Sequence, residues 1–60
     1  MRCEVIIPAN GKVEEYKTLS QANARARNLS VYDGVKVFVR AIGQDEIKSI
    51  WVNGNNVRGA

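Results

Sequence analysis

Residues 35–52 read VKVFVRAIGQDEIKSIWV. Val35, Val37, Val39 and Ala41 alternate with Lys36, Phe38, Arg40 and Ile42. Alternation with period two places the two sets on opposite faces of a strand. Gly43–Gln44–Asp45–Glu46 turns the chain, and residues 47–52 return as the second arm of a hairpin. A loop of two or of four residues gives one pairing: Ile42 with Ile47, Arg40 with Ser49, Phe38 with Trp51. Lys48, Ile50 and Val52 then share the face of the valines.

Upstream, residues 2–8 (RCEVIIP) and 12–18 (KVEEYKT) are extended in character. Asn10–Gly11 between them is a strong hairpin signal, because both residues of a type I′ turn need positive φ. A two-residue turn there pairs Ile7 with Glu14, Val5 with Tyr16 and Cys3 with Thr18. On the other face it pairs Pro8 with Val13, Ile6 with Glu15 and Glu4 with Lys17, the last a cross-strand pair of opposite charge. Cys3, Val5, Ile7 and Tyr16 make the better core face.

The stretch between the hairpins, TLSQANARARNLS, is helical. Thr18 and Gln21 have the spacing of a capping box, with Ser20 as a rival cap. Leu19, Ala22, Ala26 and Leu29 form one stripe, and Gln21, Arg25 and Asn28 lie opposite it. Val31–Tyr32–Asp33–Gly34 ends the helix. After residue 52 a second Asn-Gly, Asn53–Gly54, opens a tail that either folds back on residues 50–52 as a short fifth strand or frays.

The expected fold is therefore α+β, in the order ββαββ. One helix packs on one face of a mainly antiparallel four-stranded sheet, with residues 55–58 a candidate fifth strand. Residues 1–60 form one domain. This layout resembles the β-grasp fold in the order of its elements. The resemblance implies that the first and last strands meet as a central parallel pair, and a fifth strand beside residues 47–52 competes with that pairing.

Sixty residues bury only about 60% of the unfolded chain's surface, so stability is marginal. Cys3 is the one cysteine and there is no histidine, so neither a disulfide within the chain nor a zinc site is expected. No cofactor is expected. Cys3 reads as a small core residue, and a lone cysteine suits a reducing compartment. Val5–Ile7 is the longest apolar run and no signal-peptide pattern precedes it, so the expectation is a complete cytoplasmic protein beginning at Met1.

An enzyme is not expected either. Glu14 and Glu15 are neighbours on a strand and point to opposite faces. Asp45 and Glu46 sit in a turn, and the glycines are spaced for turns and match no phosphate-binding loop.

One helix covers one sheet face. The other face carries Ile6, Val13, Phe38, Ile42, Ile47 and Trp51 among Arg2, Lys17, Lys36, Arg40, Glu4 and Glu15. An apolar patch of this kind marks an interface. The candidate partner-binding residues are Phe38, Trp51, Arg40, Lys36, Ile6, Ile42 and Lys17. Mixed charge around an aromatic pair favours a protein partner, with the chain acting as adaptor or inhibitor, as accessory proteins of phages and mobile elements do. Nucleic acid is the second reading: Phe38 and Trp51 would stack on bases while Lys36, Arg40 and Lys17 met phosphates. The net charge of +3 permits that without requiring it. A third reading is a homodimer joined through the sheet face.

Overall fold

Alternating residues from Cys3 to Ile7 form β1, and Lys12–Tyr16 form β2. The helix α1 spans Leu19–Tyr32, followed by β3 (Val37–Ala41), β4 (Ile47–Val52) and β5 (Asn55–Asn56). The computed structural model describes residues 2–58. Met1, expected as the start of the chain, and Gly59 and Ala60, expected in the tail, lie outside them.

The strands form one sheet in the order β2-β1-β3-β4-β5, and every pairing is antiparallel. The α+β layout matches the expectation, and the tail contributes a real fifth strand. The central parallel pair implied by the β-grasp resemblance is not present. The hairpins join through β1 and β3, which run antiparallel with Cys3 opposite Ala41 and Val5 opposite Val39. The Ile42 N–H donates to the Arg2 carbonyl at 3.1 Å and extends this join beyond the strand ends.

The helix forms where its cap and stripe place it. The Thr18 hydroxyl accepts from the Gln21 N–H at 3.2 Å, satisfying one of the donors that a helix start leaves open. Ala22, Ala26 and Leu29 are buried against the sheet. They meet Cys3, Val5, Ile7, Val37 and Val39, with Tyr16, Leu19, Val35 and Trp51 at the margin of the core. Fully burying each valine stabilises the fold by about 1.5–3 kcal/mol. At the far end the Asp33 N–H caps the Leu29 carbonyl and Gly34, with φ of 65°, turns the chain out.

The two Asn-Gly pairs behave differently. Asn53 and Gly54 have φ of 51° and 81°, as a two-residue type I′ hairpin requires, and Val52 faces Asn55 across it. Asn10 does not adopt positive φ. Instead the Ile7 carbonyl accepts from Asn10 and Gly11, and the Asn10 side chain accepts from the Lys12 N–H. Pro8 occupies the second position of this turn, which its fixed φ suits. The loop is thus Pro8–Ala9–Asn10–Gly11, and the register differs from the expected one by two residues: Cys3 faces Tyr16, Val5 faces Glu14 and Ile6 faces Val13. A slip of two keeps every side chain on its face. The expected Glu4–Lys17 pair gives way to Glu4 opposite Glu15.

The β3–β4 hairpin differs in a way that matters more. Val37 faces Trp51, Phe38 faces Ile50 and Val39 faces Ser49, with a bulge before Arg40 faces Ile47. The expected pairs Phe38–Trp51, Arg40–Ser49 and Ile42–Ile47 are therefore corrected by one residue, or by two beyond the bulge. A slip of one exchanges the two faces. Ser49 and Trp51 lie on the helix side, while Ile50 and Val52, expected among the valines, lie on the open side.

Candidate functional site

The registers assemble a continuous apolar row on the face away from α1. Val13 on β2 faces Ile6 on β1, Ile6 faces Phe38 on β3, and Phe38 faces Ile50 on β4. Val13 is 54% exposed, and Ile6, Phe38 and Ile50 are half-buried by their own neighbours. Next to it runs a second row, Glu15–Glu4–Arg40–Ile47, in the same strand order.

Two acids face one another in that second row, and like charges directly opposite destabilise a sheet. Each acid has an arginine. Arg40 Nε donates to Glu4 Oε1 at 2.8 Å, and Arg2 donates to Glu15 Oε2 at 3.1 Å. The Glu4 side chain is 15% exposed and that of Arg40 35%, whereas the Arg2–Glu15 pair is open to water. Charge is thus balanced along this row. On the other side of the apolar row, Lys36 Nζ sits 5.5 Å from the centre of the Phe38 ring, a cation–π contact worth about 0.5–1 kcal/mol at an exposed site.

Of the candidate residues, Ile6, Phe38, Arg40 and Lys36 come together on this face. Ile42 lies just past β3, 39% exposed, at the upper margin. Lys17 follows the last residue of β2 and lies beyond the paired part of the sheet. Trp51 is corrected out of the site. Its indole Nε1–H donates to Asn23 Oδ1 on α1 at 3.2 Å, and its ring packs against the core. A half-buried indole turned to the core needs such a partner, and the helix supplies it. Ile50 and Val52 take its place. Nothing in the alternation of IKSIWV marks a bulge, so these two are not recoverable from sequence pattern. Val13 and Glu4 lie on the face that the alternation predicts for them, outside the candidate set.

The remaining reactive groups are occupied elsewhere. Cys3 is fully buried beneath the helix. Glu14, on the helix side, accepts from the Tyr16 hydroxyl at 2.7 Å and from Arg25 Nε at 3.1 Å. The Tyr16 bond, then Arg25, holds the Glu14 carboxyl below its ordinary 4.5. Burial, then the hydrogen bond to Glu14, pushes the Tyr16 phenol up. Among the described residues no group of His, Cys, Asp and Glu is placed to hold a metal, and no helix is long and apolar enough to cross a membrane. No family model, curated protein or solved structure matches the chain.

Proposed function

We propose that this chain is a non-catalytic binding module that acts on a protein surface through its open sheet face. The supporting observation is the Val13–Ile6–Phe38–Ile50 row, apolar across four strands where a solvent-facing sheet side is ordinarily polar. The adjoining charges favour protein over nucleic acid. Arg40 and Arg2 are already paired with Glu4 and Glu15, and those carboxylates would repel phosphates. Phe38 alone remains for stacking once Trp51 is turned to the helix. The buried, unpaired Cys3 goes with a reducing, cytoplasmic setting. Adaptor and inhibitor roles both use such a surface, including those of phage-type accessory proteins.

The test compares proteins captured from nuclease-treated lysate by the immobilised wild type and by folded variants. Phe38→Glu and Ile6→Glu should lose the captured protein, and Arg27→Glu, on the exposed side of α1, should keep it. Retention by Phe38→Glu contradicts the reading. Oligonucleotide binding that weakens steeply with salt and requires Lys36 would replace it with the nucleic-acid alternative.

A further inference from the structure

Resting on that reading of the sheet face, we propose that its partner is a second copy of this chain, stacked face to face about a two-fold axis parallel to the strands and between β1 and β3. The proposal follows from the order of side chains in the two rows.

Face-to-face sheets pack about 10 Å apart with strands roughly aligned. A two-fold axis along the strands lays β1 over β3 of the partner and β2 over β4 of the partner, because the strand order is β2-β1-β3-β4. In the apolar row Ile6 then meets the partner's Phe38, and Val13 meets the partner's Ile50. In the charged row Glu4 meets the partner's Arg40, and Arg40 meets the partner's Glu4. The Glu4–Arg40 pair already formed within each chain closes this into an alternating ring of four charges. Opposite charges coincide on both sides of the axis, as an isologous interface requires.

The competing axis, in the same plane but across the strands, fails this test. It reflects the face about the apolar row and sets Arg40 over the partner's Lys36, two positive charges in a desolvated contact. Of these two arrangements, only the axis along the strands is self-complementary.

The area suits a weak dimer. The molecule is 26 Å by 26 Å across its wider dimensions. Four strands at about 4.8 Å spacing and about 20 Å of strand length give a face of about 380 Å² per copy. The total of about 770 Å² falls in the range of weak, transient interfaces, below about 1,200 Å², so the dimer forms only at high concentration.

Sedimentation equilibrium across about 10–500 µM tests this. The wild type should have the mass of a dimer at the upper end. Glu4→Arg and Arg40→Glu, each alone, should be monomeric there, with dissociation constants raised at least about tenfold. An equimolar mixture of the two should regain the dimer mass, because the introduced charges then face opposite ones across the axis. If circular dichroism shows that either reversal does not fold, the same mixing test uses Val13→Lys with Ile50→Glu. Those positions face one another across the axis and form no ion pair within the chain.

A monomeric wild type throughout, single reversals that dimerise as the wild type does, or a mixture that stays monomeric overturns the proposal. The wider reading fails separately. If the wild type is monomeric and yet loses a captured protein on Phe38→Glu, the second copy is wrong and the binding face stands. A dimer that survives Phe38→Glu forms through another surface and overturns the second copy alone; the binding face falls when Phe38→Glu retains the captured protein.

Discussion

Replacing Trp51 by alanine should unfold a large share of the protein, and replacing Phe38 should not. The two residues differ through one residue of register. Trp51 packs against the helix-side core and donates to Asn23, while Phe38 lies on the open face, supported by Ile6, Ile50 and Lys36. Fully buried Trp or Phe truncations cost about 3–5 kcal/mol. Trp51 is half-buried, so its apolar share is about 2–3 kcal/mol, and loss of the indole–Asn23 bond adds about 1 kcal/mol. At about 0.05–0.15 kcal/mol per residue, a chain of 60 residues has about 3–9 kcal/mol of stability in all. Trp51→Ala therefore removes about a third of it or more. Phe38→Ala loses part of its cross-strand packing and the cation–π contact, about 1 kcal/mol. Urea unfolding of the monomer followed by circular dichroism measures both. Equal losses, or a greater loss from Phe38→Ala, would refute the placement of Trp51 under the helix.

Three further outcomes follow from local geometry. Gly54→Ala should destabilise by more than about 1 kcal/mol in thermal unfolding, because φ is 81° and an added Cβ would sit 2.6 Å from Val31 Cγ2; Gly11→Ala, whose Cβ meets nothing within 4 Å, carries the φ strain alone and should cost less. Thr18→Ala should cost about 1 kcal/mol, and Thr18→Ser should restore most of it, since only the hydroxyl that accepts from Gln21 is at issue. The Glu14 carboxyl is depressed in the folded state, so its contribution is present above its unfolded value of 4.5 and disappears as pH falls through the lower folded value. Glu14→Gln should accordingly show a shallower loss of stability below about pH 4.5 in acid titration, and an unchanged acid slope would mean that the Tyr16–Glu14–Arg25 contacts do not hold in solution.

The elements of this fold are legible in the sequence, because each rests on local chemistry. The alternation of Val35–Ile42, the Thr18 cap and the Leu19–Ala22–Ala26–Leu29 stripe are short-range signals, and all three are seen. Registers are less legible, because competing turns differ by small energies. At the first hairpin Asn10–Gly11 suggests a two-residue turn, yet Pro8 favours a turn one step earlier and the loop has four residues. That error is even, so the core face is unaffected. At the second hairpin the Ala41 carbonyl accepts from the Gln44 N–H across Gly43, whose φ of 84° fits the third position of a type II turn, and a bulge follows in β4. That error is odd and exchanges Trp51 for Ile50 and Val52. Long-range contacts decide between such registers: Trp51 finds Asn23, and buried Ser30 binds the Gly54 N–H at 2.9 Å, tying the β4–β5 turn to the helix. Neither partner is near in sequence. The join of β1 to β3 is similarly invisible to local pattern, since Glu4 and Arg40 are 36 residues apart.

The measurement that bears most directly on the open apolar face is the set of nuclear Overhauser contacts of the Trp51 ring and the Phe38 ring. The indole N–H should show contacts to Asn23 on the helix, the Trp51 backbone should lie opposite Val37, and the Phe38 ring should show contacts to Ile6 and Ile50. Cross-strand contacts between the Phe38 and Trp51 rings, without contacts from the indole to α1, would contradict the register and return Trp51 to the binding face.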